Sequence, residues 1–135
     1  MRKRVFGRKF GRDTDSRKAL LRSLVRALVL SGKIETTRAK AKGVQGDIDK
    51  LVTLARKGGI SQRRNALKEL GNDRRTVNEI FDKVVKVFQN RTSGFTRIIP
   101  LVLRKGDSAQ MVRLEWVENM GPKPKKKNEN VSTKS

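Results

Sequence analysis

The chain has 135 residues, of which 34 are Lys or Arg and 13 are Asp or Glu, so its formal net charge at pH 7 is +21. A charge of about 2–8 keeps a small domain soluble, and a larger one destabilises the compact state by self-repulsion. The excess therefore indicates a polyanionic partner. The absence of Cys excludes disulfides and thiolate zinc sites, and the absence of His removes the commonest general base and metal ligand.

Charge and apolar periodicity divide the chain into three regions. Residues 1–18 form a basic arm, residues 19–120 carry the periodic apolar patterns, and residues 121–135 form a Lys/Pro tail. Neither end has enough apolar residues for a core, so both should be disordered without a partner. No apolar run approaches the roughly 20 residues that span a bilayer, and the N-terminus lacks the apolar segment of a signal peptide. We therefore expect a soluble cytoplasmic protein without a membrane partner.

The first half of the middle region predicts a helix, a strand and a second helix. Apolar residues recur at helical spacing over residues 20–29, with Thr14, Asp15 or Ser16 as candidate N-caps and Gly32 as the end. Residues 33–37 alternate as in a strand. Thr37 then caps a helix that ends at residues 58–59. Inside this helix, Gly43 and Gly46 each destabilise it by about 1 kcal/mol relative to Ala, or mark a close backbone approach.

The second half predicts two further helices and two strands. One helix runs from Ser61 to Gly71, and the next follows a cap at Asn72 or Asp73. Residues 95–103 and 109–117 alternate as strands, and residues 104–107 join them in a Gly-bearing turn. Pro100 assigns the first of these strands to a sheet edge or a bulge.

This order of elements predicts an α+β domain. Helices pack on one face of a small three-stranded mixed sheet, which makes two layers. Phe81 and Trp116 each continue an apolar face of their element and are interpreted as core.

The basic arm is the strongest candidate for a binding site. A Gly-spaced cationic chain can thread between RNA helices and place guanidinium groups on phosphates. Phe6 and Phe10 either stack on exposed bases or anchor the arm to the domain. The alternative is a solvated tail that aids solubility. The cations of the arm are Arg2, Lys3, Arg4, Arg8, Lys9, Arg12, Arg17 and Lys18.

Two further groups of cations are candidates for the same RNA surface. The outer faces of the first two helices carry bases with few compensating acids, which favours phosphates over intrahelical ion pairs, although an ordinary exposed face has similar composition. The predicted hairpin carries others, and a plain exposed tip is the alternative there. These residues are Arg22, Arg38, Lys40, Lys42, Arg97, Arg104 and Lys105.

The acidic residues offer no catalytic pair. Asp13 with Asp15 and Asp47 with Asp49 are two residues apart, a spacing that does not place side chains on one helix face. The sequence has no metal-ligand cluster, no phosphate-binding glycine loop and no nucleophile–base pair. We therefore expect no enzyme, no cofactor, no metal and no small-molecule substrate.

Five stretches, in order, resemble the bacterial large-subunit ribosomal protein L seventeen (L17) family, and together they cover the chain from Met1 to about Trp116. The resemblance implies a compact α+β protein that binds large-subunit rRNA beside neighbouring ribosomal proteins. In the family the arm and first helix contact rRNA, which corresponds here to residues 2–18 and Arg22. The stretches are residues 16–24, 33–42, 51–57 and 94–98, and Gly106-Asp107 with Ala109 and Met111.

The chain departs from the family pattern at a few positions. Lys3 and Ser16 stand where the family usually has histidines, Gly43 and Gly46 interrupt a helix, and the tail after Gly121 is an extension.

Two other classes of function compete with RNA binding on the ribosome. A DNA-compacting protein usually presents a dimer with a recognition helix or β-arm. A membrane-surface or interaction module would pair a basic helix face with bulky aromatics. Neither pattern is present, and we expect no homo-oligomer.

Overall fold

The computed structural model describes residues 7–121, and the order of its elements is the predicted one. A helix and a strand are followed by three helical segments and two strands. The helices are α1 (Thr14–Ser31), α2 (Arg38–Lys57), α3 (Ile60–Glu69), α4 (Arg74–Glu79) and α5 (Val85–Val87), with a π-helical segment, Ile80–Val84, joining the last two; the strands are β1 (Lys33–Thr37), β2 (Thr96–Pro100) and β3 (Met111–Trp116).

Local signals set the helix ends. Gly32 adopts a positive φ of 78° after α1 and donates its N–H to the Leu28 carbonyl at 2.7 Å, which closes the helix. Asp73 caps α4, and its carboxylate accepts hydrogen bonds from the Thr76 N–H at 3.2 Å and the Thr76 hydroxyl at 2.7 Å. Of the two cap candidates before α4, the structure uses Asp73.

The three strands form one sheet with the order β1-β3-β2. Both pairings are antiparallel, so the prediction of an α+β fold is confirmed but its mixed sheet is wrong. β1 and β2 do run in the same direction; β3 lies between them and no parallel pair forms. Pro100 ends β2, which is an edge strand as expected. Phe95 and Leu101, at the two ends of this segment, form backbone hydrogen bonds with the β3 side. Alternate residues of a strand point their backbone groups to opposite edges, so the nitrogen of Pro100 faces the free edge.

The hairpin between β2 and β3 is longer than the sequence indicated. Leu101 still donates its N–H to the Met111 carbonyl, but the next bond joins the Arg104 N–H to the Ala109 carbonyl, both about 3.0 Å or less. Two residues, 102 and 103, therefore stand opposite one, Gln110. This bulge ends regular pairing, so both strands are shorter than predicted.

The core lies between the sheet and the helices. Alternation on β3 buries Val112, Leu114 and Trp116 on one face, and the predicted inward face of α2 is buried against them. Phe88 sits at the centre, its ring 5.3 Å from that of Phe95 and 5.7 Å from that of Trp116. Aromatic pairs of this kind stabilise by about 0.5–1.5 kcal/mol beyond their buried area.

Phe81 is less buried than predicted. Phe81 is the second residue of the π-helical segment, where the wider turn shifts side chains away from ideal helical spacing. The ring is half-buried, with the guanidinium carbon of Arg63 4.8 Å above its centroid. Among residues 7–121, no helix combines the length and apolar character that crossing a membrane requires.

Candidate nucleic-acid interface

The described part of the basic arm is attached to α2. Phe10 is half-buried, and a Cβ built on Gly43 would lie 2.7 Å from its Cζ and 3.2 Å from Cε2. No side chain fits between the ring and the helix, so Gly43 marks a close approach, one of the two interpretations of this residue. Of the two roles considered for Phe10, the structure favours the anchor. Phe6 lies outside the described residues.

A short turn precedes α1 and fixes the cations next to Phe10. The Arg12 N–H donates to the Lys9 carbonyl at 3.1 Å, and its Nη1 donates to the Phe10 carbonyl at 3.0 Å. Phe10 itself has a positive φ of 54°, a conformation that its packing on α2 must stabilise. Arg8, Lys9 and Arg12 are all exposed, so the turn presents their charges outward.

The arm does not extend to Lys18 as an unstructured chain. α1 begins at Thr14, and the Arg17 N–H donates to the Asp13 carbonyl at 3.0 Å. The prediction of disorder is therefore wrong for residues 14–18, because the polar residues that were considered as caps already lie in the first helical turn. Arg17 and Lys18 project from a helix, at fixed positions relative to the core.

The first turn of α2 adds cations close to this arm. Arg38 and Lys40 occupy it, no acidic residue is present there, and Thr37 is the N-cap. Positive side chains at a helix N-terminus oppose the helix dipole by about 0.3–1 kcal/mol each, so these two do not serve helix stability. Arg38 also donates Nη1 to the Gln110 side-chain oxygen at 3.3 Å. That partner is neutral, so the charge of Arg38 is not cancelled.

The ion pairs of residues 7–121 separate the predicted cations into two groups. No carboxylate lies within ion-pair distance of those on the arm, α1 and the start of α2 in this part of the chain, whereas Arg97 and Arg104 are both paired. The first group, in the described residues, is Arg8, Lys9, Arg12, Arg17, Lys18, Arg22, Arg38, Lys40 and Lys42. The predicted Arg2, Lys3 and Arg4 lie outside the described residues.

Arg22 has an intramolecular partner of another kind. Its Nε donates to the Glu69 carbonyl at 2.7 Å, and Nη2 donates to the Lys68 carbonyl at 3.3 Å. A guanidinium on the last carbonyls of a helix satisfies acceptors that the helix leaves open and is favoured by the dipole. Arg22 therefore joins α1 to the end of α3, and its part in RNA binding stays a prediction.

Two of the three predicted hairpin cations are neutralised by carboxylates of the described residues. The Arg97 guanidinium is 2.6 Å from the Glu115 carboxylate, its cross-strand neighbour. Arg104 forms two hydrogen bonds to Asp107, at 2.5 Å and 3.0 Å. The pKa of Asp107 is lowered to about 2, mainly by hydrogen bonding from Arg104 and then by the Ala109 N–H. Of the predicted hairpin cations, Lys105 alone makes no ion pair with residues 7–121.

The candidate acid pair on α2 does not assemble. Asp49 accepts a hydrogen bond from the Phe95 N–H at 3.3 Å, whereas Asp47 lines the groove between α1, α2 and α3, where burial raises its pKa. The two carboxylates thus serve different sides of the helix. Within residues 7–121, no group of three or more acidic side chains is placed to hold a metal ion.

Comparison with known proteins decides the family. A family model described as Ribosomal protein L17 matches residues 20–117. The chain belongs to the ribosomal protein L17 family. It is 41% identical over 119 residues to the large ribosomal subunit protein bL17 of Rubrobacter xylanophilus, across 88% of this chain and 98% of that protein.

Two other bL17 proteins are similar to this L17-family chain. That of Acholeplasma laidlawii is 43% identical over 111 residues, with 78% of this chain and 93% of the relative covered. That of Staphylococcus haemolyticus is 41% identical over 120 residues, covering 82% and 98%. The resemblance inferred from the sequence is confirmed.

The contact between Phe10 and Gly43 could not be predicted from the sequence. The two residues are 33 positions apart, and the fold brings them together. A signal was nevertheless present, because a glycine inside a helix destabilises it and calls for a reason.

Proposed function

We propose that this L17-family chain is a structural constituent of the large ribosomal subunit, where it binds rRNA through the arm and the N-terminal parts of α1 and α2. The observation that carries the proposal is the set of predicted cations without carboxylate partners in the described residues, with the arm held against α2 by Phe10 on Gly43. Where this charge neither pairs internally nor stabilises its helix, as at Arg38 and Lys40, an external polyanion is its best explanation.

The mechanism is static. Guanidinium and ammonium groups contact phosphates at junctions of folded RNA, and condensed counterions are released as they do so. Because the turn at residues 9–12 and both helices are already ordered, these parts lose little conformational freedom on binding. Neighbouring large-subunit proteins complete the surroundings, and the chain acts as a monomer.

A salt titration of binding to protein-free large-subunit rRNA tests the proposal. A protein that neutralises about 6–10 phosphates gives a correspondingly steep decrease of log Kobs with log[salt]. The nine predicted cations on the arm, α1 and the start of α2 that make no ion pair in the described residues, together with those of residues 1–6, are sufficient for this number. A slope that corresponds to one or two phosphates would contradict the proposal.

Specificity needs a second measurement. The tagged protein should sediment with the large subunit through a sucrose gradient at high salt, and excess duplex DNA should compete poorly for it. If salt releases the protein into the light fractions, or if duplex DNA displaces it as well as rRNA does, the DNA-binding alternative replaces the ribosomal one. Deletion of residues 1–12, which ends before α1, should weaken rRNA binding and leave the helical circular dichroism signal unchanged.

A further inference from the structure

A groove runs between α1, α2 and α3, next to the cations of α1. Its volume is about 680 Å³, which lies within the range of about 300–1,000 Å³ that small-ligand sites usually have. Two half-buried leucines, Leu21 and Leu54, line it together with buried side chains of the core. Apolar side chains of this kind can pack against the flat face of a nucleic-acid base.

Basic residues outnumber acidic ones along this groove. Four basic and two acidic residues line it, and none of the six forms an ion pair within residues 7–121. A concave site with net positive charge concentrates anions such as phosphates. Two of the basic residues belong to the RNA interface proposed above, and the packing of the helices adds one from α2 and one from α3. The six are Lys18, Arg22, Lys50, Lys68, Asp47 and Glu69.

Asp47 supplies a hydrogen-bond acceptor that the described part of the chain does not use. Its side chain is half-buried, yet it forms no hydrogen bond and no ion pair within residues 7–121. Burial raises its pKa, as expected of a carboxylate that loses water without gaining a donor. Asp49, on the same helix, accepts the Phe95 N–H instead. The unused carboxylate of Asp47 therefore calls for a donor from outside the chain.

These three features fit a nucleotide better than a peptide. A nucleotide brings phosphates for the cations, a flat base for the leucines, and N–H groups on the base edge for the carboxylate. An acidic peptide would be repelled by Asp47 and Glu69, and a basic one would be repelled by the lysines. Among the bases, guanine presents two adjacent donors, its N1–H and its N2 amino group. They can bind both oxygens of one carboxylate, as an arginine fork does.

We propose that this groove holds an unpaired guanosine of the rRNA, with its phosphates at Lys18, Lys50 and Lys68 and its base edge at Asp47. The inference rests on the proposed function and deepens it. Contacts to phosphates position a protein on RNA but do not read its sequence. The groove adds one position at which a base is recognised to an interface that is otherwise built on phosphate contacts.

The isosteric variant Asp47→Asn tests the inference, with Asp15→Asn as its matched control. Asp15 is an exposed carboxylate in the first turn of α1, outside the groove and without an ion pair in residues 7–121. Each full-length protein is titrated against protein-free large-subunit rRNA by filter binding. Each complex is then treated with kethoxal, which modifies N1 and N2 of accessible guanines. Urea denaturation checks that every variant is folded.

Two further measurements complete the design. Lys50→Gln/Lys68→Gln removes the two cations that the groove adds to the interface, and its binding is measured over a series of salt concentrations. Each variant also competes with tagged wild type for incorporation into subunits reconstituted from rRNA and the complete set of large-subunit proteins.

The expected change at Asp47 has the opposite sign to that of a simple charge effect. Removal of a negative charge by itself strengthens binding to RNA, so Asp15→Asn should bind as tightly as wild type or more tightly. We expect Asp47→Asn to bind about tenfold more weakly, because it loses a bidentate contact to a base. One guanine that wild type and the control protect from kethoxal should become reactive. Lys50→Gln/Lys68→Gln should lower the slope of log Kobs against log[salt] by about 1.4–1.8.

The other results would overturn the inference in distinguishable ways. Equal or tighter binding of Asp47→Asn, or an unchanged pattern of guanine protection, would show that no base is read in the groove and would leave the proposed function standing. Wild-type affinity of Asp47→Asn for protein-free rRNA with poorer incorporation into subunits would show that a protein segment occupies the groove. Failure of wild type to bind protein-free rRNA would overturn the proposed function and this inference together.

Discussion

The clearest test of the RNA interface is the removal of two charges at the start of α2. Lys40→Gln/Lys42→Gln removes cations that make no ion pair or side-chain hydrogen bond with residues 7–121. Gln has nearly the helix propensity of Lys, and a positive charge near a helix N-terminus is unfavourable. The variant should therefore be at least as stable as wild type, so that a change in RNA affinity does not reflect unfolding.

The size of the effect follows from counterion release. Each lost phosphate contact lowers the slope of log Kobs against log[salt] by about 0.7–0.9, so the double variant should lose about 1.4–1.8. Relative to 1 M salt, where this contribution vanishes, the affinity at about 0.15 M should decrease about 15- to 30-fold. This decrease corresponds to about 1.6–2.0 kcal/mol, at 1.4 kcal/mol for each factor of ten.

The assay is filter binding to protein-free large-subunit rRNA over a series of salt concentrations. The control is Lys57→Gln/Lys86→Gln, which removes the same charge at exposed positions at the end of α2 and on α5, where neither lysine is ion-paired within residues 7–121. We expect the control to change the slope by less than half a unit. Equal losses in both double variants would refute the argument, because binding would then depend on net charge and not on the cluster at the arm.

Three further variants test how the structure is held together. Gly43→Ala should displace the ring of Phe10, since the Cβ of the alanine would lie 2.7 Å from the Cζ of Phe10. The variant should lose as much rRNA affinity as Phe10→Ala, and the two losses should not add in a double-mutant cycle. Additive losses would contradict the anchor. Asp73→Ala should lower the free energy of unfolding by about 1–2 kcal/mol in urea titrations at pH 7, because α4 loses its cap. Burial raises the pKa of Asp73, but hydrogen bonds from Thr76 and the charge of Arg26 together outweigh this and hold the pKa below its ordinary value. The stabilisation is complete above the unfolded value of about 3.9 and is lost as pH falls through the lower folded value, so a difference between variant and wild type that does not shrink as pH falls below about 3.9 would argue against this cause. Arg22→Met should lower the free energy of unfolding by about 1 kcal/mol, because α3 loses a donor at its end; an unchanged urea midpoint would show that the contact is not stabilising.

The parts of the fold that depend on residues close together in the sequence could be predicted. Apolar spacing located the buried faces of α1, α2 and β3, and Gly32 and Asp73 marked helix ends through their own backbone and side-chain chemistry. Pro100 indicated an edge strand because it cannot donate a hydrogen bond. Strand direction in the sheet depends on which strand lies in the middle, and no local pattern carries that information.

The candidate site was predicted only in part, because the state of each cation depends on distant residues. Arg97 meets Glu115 through strand register, and Arg113 meets Glu35 across 78 positions. Arg22 meets the end of α3 across 47 positions. Composition identified a large excess of positive charge, but it could not say which of these side chains remain available to a partner.

The fold resolves this question by where it places its few carboxylates. With 13 acidic residues against 34 basic ones, the chain has too few carboxylates to pair with most of its cations. The sheet brings Glu35 and Glu115 onto its outer face beside arginines. Asp107 neutralises the hairpin in the same way. The arm and the first turn of α2 receive no such partner in the described residues. Because unpaired cations favour phosphates, the arm and the start of α2 carry the charge that suits an RNA partner. This placement explains why neutralising Lys40 and Lys42 should weaken binding to rRNA more than removing the same charge at Lys57 and Lys86.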